Sequence, residues 1–379
     1  MAEKIIKMKA FYLKILILCL LSIVVSCSYT KQLYTPDEMR LYIRQMISPE
    51  ASERIIVPFE VNDEIRKVAR EATGGLNTDR EKIFALLYKV LDKNDVDLQY
   101  DQYKTYTAIE TYESGRGNCL SFTNLLVGMA RSLGIEAFYV EVMREGEYDL
   151  LEGLVVNQRH ICAGYELGGK VELVDFAVNA RKYLSNKRLD DIEGVANYFN
   201  NKGYDLLKDG KIDDAVVIFQ MAVDICPTFS WGYNNLAVAL SRKGDIQGAA
   251  RNYKKALELD SSYEAPYGNL ASLYYNMGER EQAERYLDLL DKIKSKNPYL
   301  HVARGVMLKE QKAYDKAMKE MKKALSLDRK NVKARIEIAK LYIEIGEPRP
   351  AARHLKTALR LSPDDQEARQ LLASIEKKP

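Results

Sequence analysis

The sequence predicts two parts in one chain: an α+β domain built around a thiol, and behind it an all-α superhelix of repeated helix pairs. Two observations point to the first part. An apolar helix runs from Leu120 to Leu133 and stops at Gly134, and Cys119 opens it directly after Gly115-Arg116-Gly117-Asn118. Downstream, the run His160 to Leu167 is joined through Gly168-Gly169 to Val171-Glu172-Leu173-Val174-Asp175-Phe176, as two strands joined by a tight turn would be. The second part is announced by a period of 34 residues: Ala215, Ala249, Ala283, Ala317 and Ala351 fall on it without a slip.

The elements follow in order. Lys4, Lys7, Lys9 and Lys14 precede an 11-residue apolar run from Ile15 to Val25. That run is too short to span a membrane and reads as a secretory signal over residues 1–26. Val24-Val25-Ser26-Cys27, a small residue before Cys and two aliphatic ones before that, resembles the bacterial lipoprotein processing site. The resemblance implies a lipidated Cys27 as the first mature residue. Ser28 beside it, in place of Asp, favours the outer membrane of a Gram-negative cell, with the protein facing the periplasm. Residues 27–60 are expected to be an anchor linker with one short helix, opened by Thr35-Pro36-Asp37-Glu38 and running to about Ile47. Asn62 caps a second helix that ends before Gly74-Gly75, and Thr78 with Glu81 caps a third, through about Leu91. These two helices are expected to pack on the Cys119 helix within a domain spanning 61–187.

Cysteine attacks as the thiolate, and a thiol at a helix N-terminus facing an imidazolium has its pKa lowered toward the working range. His160 is the only histidine among the first 300 residues. If Leu167 pairs with Lys170, residues whose numbers sum to 337 are opposite, so His160 faces Ala177 and Asp175 lies on a diagonal. The period of two then puts His160 and Asp175 on one face, at roughly 7–8 Å between backbones, close enough for a carboxylate to orient an imidazole. The same register puts Cys162 on that face, where core packing is its expected role and a disulfide with Cys119 the alternative. With Cys19 in the signal and Cys27 lipidated, Cys119, Cys162 and Cys226 remain, an odd number that leaves at least one thiol unpaired.

The order Cys, His, Asp, with the cysteine starting a helix that ends in Leu133-Gly134-Ile135 and the other two on successive strands, resembles the transglutaminase-like cysteine protease superfamily, from about Val61 to Lys187. The resemblance implies a papain-like α+β fold with Cys119 as nucleophile, His160 as general base and acid, and Asp175 as orienting carboxylate. For the oxyanion hole it leaves the Cys119 N–H, with Asn118, Tyr100, Tyr103 and Tyr106 as candidates. Ile161-Cys162 and Phe176 stand where members often have Ala-Trp and Pro, and Trp231, the one tryptophan, lies outside the domain.

Small residues also recur at Ala222, Ala256, Ala324 and Ala358 and at Gly203, Ala237, Ala271, Gly305 and Ala339, with Gly210, Gly244, Gly278 and Gly346 at the turns. This pattern is similar to the tetratricopeptide repeat: five copies over 196–363 and a capping helix within 364–379. The resemblance implies an inner groove for a protein or peptide partner. Of the carboxylate-clamp positions Asn200, Tyr204, Asn235, Ala265 and Asn269 only Asn235 matches, which argues against a free acidic C-terminus as ligand. Tyr204, Trp231, Asn234, Val238 and Tyr275 are the expected groove residues.

A net charge of +3 on 57 basic and 54 acidic residues leaves no excess for a nucleic-acid partner. No phosphate loop or metal-ligand cluster is present in the sequence, so no cofactor or metal is expected. The expected function is attack on a peptide or amide bond, with hydrolysis favoured over acyl transfer and the repeats supplying partner or substrate. The alternative is a non-catalytic scaffold lipoprotein with a degenerate thiol domain.

Overall fold

The structure, a computed structural model, describes residues 33–48, 55–91, 99–101, 104–143, 149–151, 154–156, 160–176, 185–293 and 297–376. The expected signal and Cys27 lie outside the described residues, as do Tyr103 and Ala177.

Helix α1 (Pro36–Met46) opens on a capping box in which Thr35 Oγ1 accepts the Glu38 N–H and the Glu38 carboxylate accepts the Thr35 N–H at 2.8 Å. Asn62 caps α2 (Asp63–Thr73), and Thr78 Oγ1 donates to Glu81 at the start of α3 (Asp79–Leu91). Two short strands, β1 (Gln99–Tyr100) and β2 (Arg116–Gly117), pair in parallel around α4 (Ala108–Ser114). Next come α5 (Cys119–Ser132), β3 (Phe138–Met143), and a separate hairpin of β4 (Asp149–Leu151) and β5 (Leu154–Val156). The strands β6 (His160–Leu167), β7 (Lys170–Val174) and β8 (Ser185–Arg188) join β3 in an antiparallel sheet of order β7-β6-β3-β8.

The β6–β7 register runs from Leu167↔Lys170 to Ala163↔Val174, the sum of 337 read from the sequence. Gly168 and Gly169 have φ of +58° and +74°, which a two-residue turn matched to strand twist requires and other residues resist. Side chains then alternate between two faces. Tyr139, Ile161, Ala163 and Tyr165 join Leu120, Leu125, Leu126 and Met129 of α5 in the main core. Phe138, Val140, Val142 and Cys162 form a smaller cluster on the other side.

The remaining helices stack as antiparallel pairs: α6 (Asp191–Lys208) with α7 (Ile212–Ile225), α8 (Ser230–Lys243) with α9 (Ile246–Leu259), α10 (Ala265–Asn276) with α11 (Arg280–Ile293), α12 (Pro298–Glu310) with α13 (Tyr314–Leu327), and α14 (Val332–Glu344) with α15 (Pro348–Leu361), closed by α16 (Gln366–Glu376). The periodic alanines sit where the pairs touch: Ala215, Ala249, Ala283, Ala317 and Ala351 are all buried. Gly210, Gly244, Gly278 and Gly346 turn the chain with φ between +76° and +93°, and Lys312, at the fourth position of the same series, does so at +58°. It is the one non-glycine with positive φ among the described residues.

The core crosses the expected boundary between 187 and 196. Val195, Tyr198 and Phe199 of α6, with Ile218, Met221 and Ile225 of α7, lie in the same apolar cluster as the α5 residues. Asp191, fully buried, receives both Arg131 guanidinium nitrogens at 2.8 and 2.7 Å and the Tyr34 N–H at 2.6 Å. Gly194 passes so close to Tyr139 that a Cβ there would fall 2.4 Å from the ring. The first helix pair is thus part of the thiol domain's wall.

Candidate active site

Asn118 is what starts α5 at the thiol. Its Oδ1 accepts the Ser121 N–H at 3.0 Å, and its Nδ2 donates to Thr105 Oγ1 at 2.8 Å. A short polar side chain that caps a helix fixes the first turn, so Cys119 lies at the first helical position with the positive end of the helix dipole behind it. Thr123, one turn on, donates to both the Cys119 carbonyl (2.8 Å) and the Ile161 carbonyl (3.3 Å), and so ties the thiol's turn to the strand residue beside His160. The sequence reading missed this residue, although its spacing of four from the cysteine puts it on the same helix face.

His160 heads β6 and is 5% exposed; Cys119 is 8% exposed. His160 Nε2 lies 2.8 Å from Asp175 Oδ1, and Cys119 is near enough to the ring to raise its pKa. The structure therefore brings all three expected catalytic residues together. Burial of the ring pulls its pKa down, but the hydrogen bond with Asp175, the nearby Cys119 and the negative charge of both partners outweigh burial and push it up to about 10. An imidazolium held between a carboxylate and a sulfur is the arrangement in which a thiol acts as a nucleophile.

The surroundings differ from expectation in several places. Asn118 has both ends of its carboxamide engaged in the cap and in Thr105, so it serves the fold. Tyr100 is half exposed and packs near Phe122, and the Tyr106 ring faces Lys202 while its N–H donates to Ser121 Oγ at 2.8 Å. Phe176, which follows Asp175, packs on Phe122 with ring centroids 5.5 Å apart, so an aromatic pair flanks the site where no indole is available. Cys162 is fully buried in the apolar cluster of Phe138, Val140 and Val142, and the alternative of a disulfide between it and Cys119 is not found.

The expected groove residues are not an open surface. Asn234 and Val238 are fully buried, Tyr204 is 2% exposed, Trp231 stacks on Tyr263 at 4.8 Å, and Tyr275 is partly buried against the repeat core. The strand β5 lies against α8, α10 and α12 on this inner side. The signal for it in the sequence is Asp149-Leu150-Leu151-Glu152-Gly153-Leu154-Val155-Val156, two short aliphatic runs around a two-residue turn.

Comparison with known proteins divides the chain in the same way. The model of the transglutaminase-like superfamily matches residues 66–170, and a tetratricopeptide repeat model matches 240–305 and 308–375. No curated protein matches the chain. Among solved structures, a thermophilic tetratricopeptide protein of Thermus thermophilus is 24% identical over 48% of this chain and 98% of its own, with a TM-score of 0.44. The pilF protein of Pseudomonas aeruginosa is 23% identical over 48% of this chain and 90% of its own, with a TM-score of 0.37. YrrB, described as a tetratricopeptide protein with an unusual peptide-binding site, is 16% identical over 46% and 89%, with a TM-score of 0.31.

Proposed function

For a chain that carries a transglutaminase-like domain followed by tetratricopeptide repeats, we propose a lipid-anchored envelope protein whose thiol site cleaves or transfers the acyl group of a peptide or amide and whose repeats bind a protein partner. The observation that carries the proposal is the meeting of Cys119, His160 and Asp175 at one place, with His160 hydrogen-bonded to Asp175. In the first step the Cys119 sulfur bonds to the carbonyl carbon, and the thiol proton resides on His160. Asp175 holds the ring by Nε2, and the tetrahedral oxygen faces the N–H groups at the start of α5. Collapse breaks the C–N bond; the amine leaves with the proton from His160, and a thioester remains on Cys119. His160 then takes a proton from water, whose oxygen attacks the thioester and releases a carboxylic acid and the thiol. A primary amine in place of water would give a new amide by the same path. Hydrolysis is favoured because water is the default acceptor. Cys27 would hold the protein on the periplasmic face of the outer membrane.

The substituted surroundings of the triad, Ile161 buried and Phe176 packed on Phe122, favour a second reading, a scaffold that has retired its thiol. One experiment separates the two. A mixed peptide library with an added primary amine is incubated with the native protein and with Cys119→Ala, and products are read by mass spectrometry. Cleaved peptides formed only by the native protein support hydrolysis, and amine conjugates formed only by it move the assignment to acyl transfer. Identical product spectra from the two proteins refute the enzyme and leave the scaffold.

A further inference from the structure

The hairpin of β4 and β5 belongs to the thiol domain by sequence but pairs with no other strand among the described residues. β5 instead runs across α8, α10 and α12, the first helices of the second, third and fourth pairs. The first helices of the first three pairs, α6, α8 and α10, are joined by a row of carboxamides. Asn235 Nδ2 donates to Asn200 Oδ1 at 2.9 Å, Asn234 Nδ2 to Asn235 Oδ1 at 3.1 Å, and Asn269 Nδ2 to Asn234 Oδ1 at 3.0 Å. All four are 2% exposed or less. Asparagine is seldom so buried, and each of these amides is held by another of the row. A carboxamide offers two donors and an acceptor, so a row of them suits an extended backbone laid across it.

We propose that this hairpin is a latch: it closes the inner face of repeats two to four in cis, and an extended, uncharged aliphatic segment of a partner binds there only by displacing β5. The chemistry of that partner is read from the occupant, since Leu154, Val155 and Val156 carry no charge. β5 ends four residues before His160 along the chain. This mode is strand recognition by backbone hydrogen bonds with aliphatic contacts for selectivity. The inference rests on the reading of the repeats as the partner-binding half and needs no chemistry at Cys119.

The test uses a fluorescein-labelled peptide with the sequence of residues 147–158, titrated by anisotropy into the full chain and into a full chain whose residues 149–156 are replaced by alternating Gly and Ser. The replaced chain is expected to bind at least about tenfold more tightly, because it no longer competes with its own strand. A second readout needs no variant: amide hydrogen exchange at 154–156 of the unaltered chain is expected to rise at least about tenfold at saturating unlabelled peptide. Equal affinity for the two chains, or unchanged exchange at saturation, overturns the latch. Alkylation of Cys119 is an independent readout, so failure of the peptide titration and failure of the thiol assignment are told apart.

Discussion

The pH profile of Cys119 alkylation follows from the His160 geometry and can be worked through before it is measured. An isolated thiol with a pKa of about 8.5 is roughly 0.3% ionised near pH 6 and roughly 24% near pH 8, so its alkylation rate climbs about 75-fold over that interval. His160, pushed up to about 10, keeps its proton across the same interval. The imidazolium therefore stands beside the sulfur at every pH of the interval, and the native rate should climb less steeply than that of an isolated thiol. The assay is iodoacetamide labelling with the Cys119 peptide followed by mass spectrometry, which separates it from the buried thiols of Cys162 and Cys226. His160→Ala should restore the steep climb, and Asp175→Asn should do so in part, because the ring loses its carboxylate at 2.8 Å. A native profile as steep as that of His160→Ala would refute the reasoning. Stability carries the same signature. The raised pKa of His160 contributes stability that is fully present below about 6.5 and is lost as pH rises toward about 10.

Three further outcomes are expected. Asp191→Ala should lower stability by about 3–5 kcal/mol in denaturant unfolding, because it strands Arg131 beneath the first helix pair; a loss under about 1 kcal/mol would contradict a shared core. Burial raises the Asp205 pKa to about 7 against the pull of the Thr105 N–H and of Lys202 and Lys104. Its folded carboxyl therefore keeps a proton that the unfolded chain has lost, and stability falls as pH rises from about 4 to about 7. Asp205→Asn should flatten that slope and stabilise the protein near pH 8 by about 1–3 kcal/mol, its amide oxygen still accepting from Thr105; an unchanged thermal-melt pH profile would argue that Asp205 is ionised in the fold. Lys312→Gly should raise stability by about 0.5–1 kcal/mol, since lysine there adopts the left-handed conformation that glycine takes at the four equivalent turns. A loss of stability would mean that the lysine side chain outweighs the backbone.

What the sequence made legible was local or periodic. The hairpin register is fixed by two glycines and a side-chain period of two, so the diagonal between His160 and Asp175 can be counted from sequence alone. The stacking alanines are fixed by a period of 34, and the capping boxes at Thr35 and Thr78 are written in four residues each. What escaped depended on distance along the chain. Arg131 and Asp191 are 60 residues apart, Thr105 and Asp205 are 100 apart, and nothing in either neighbourhood names its partner. Lys312 escaped because the series was followed through its glycines, and the position that lacks one carries the strain. The burial of Asn234 and Val238 escaped because their partners lie in other helices: Asn234 accepts from Asn269 of α10, and Val238 packs in one cluster with Tyr253 and Leu270.

The shared core gives the place of the hairpin a consequence. Were the two parts joined by a linker, a strand of one resting on the other would tumble with it and bear on nothing. Instead α6 and α7 are packed into the thiol domain through Arg131 and Asp191, Gly194 and Tyr139, and the Tyr42 hydroxyl donating to the Ile225 carbonyl at 2.9 Å. The array's inner face is therefore held in place relative to α5, and β5 bridges two surfaces that cannot drift apart. A partner strand on that face competes with β5 at a place fixed relative to the thiol helix, and this is the condition the proposed latch requires.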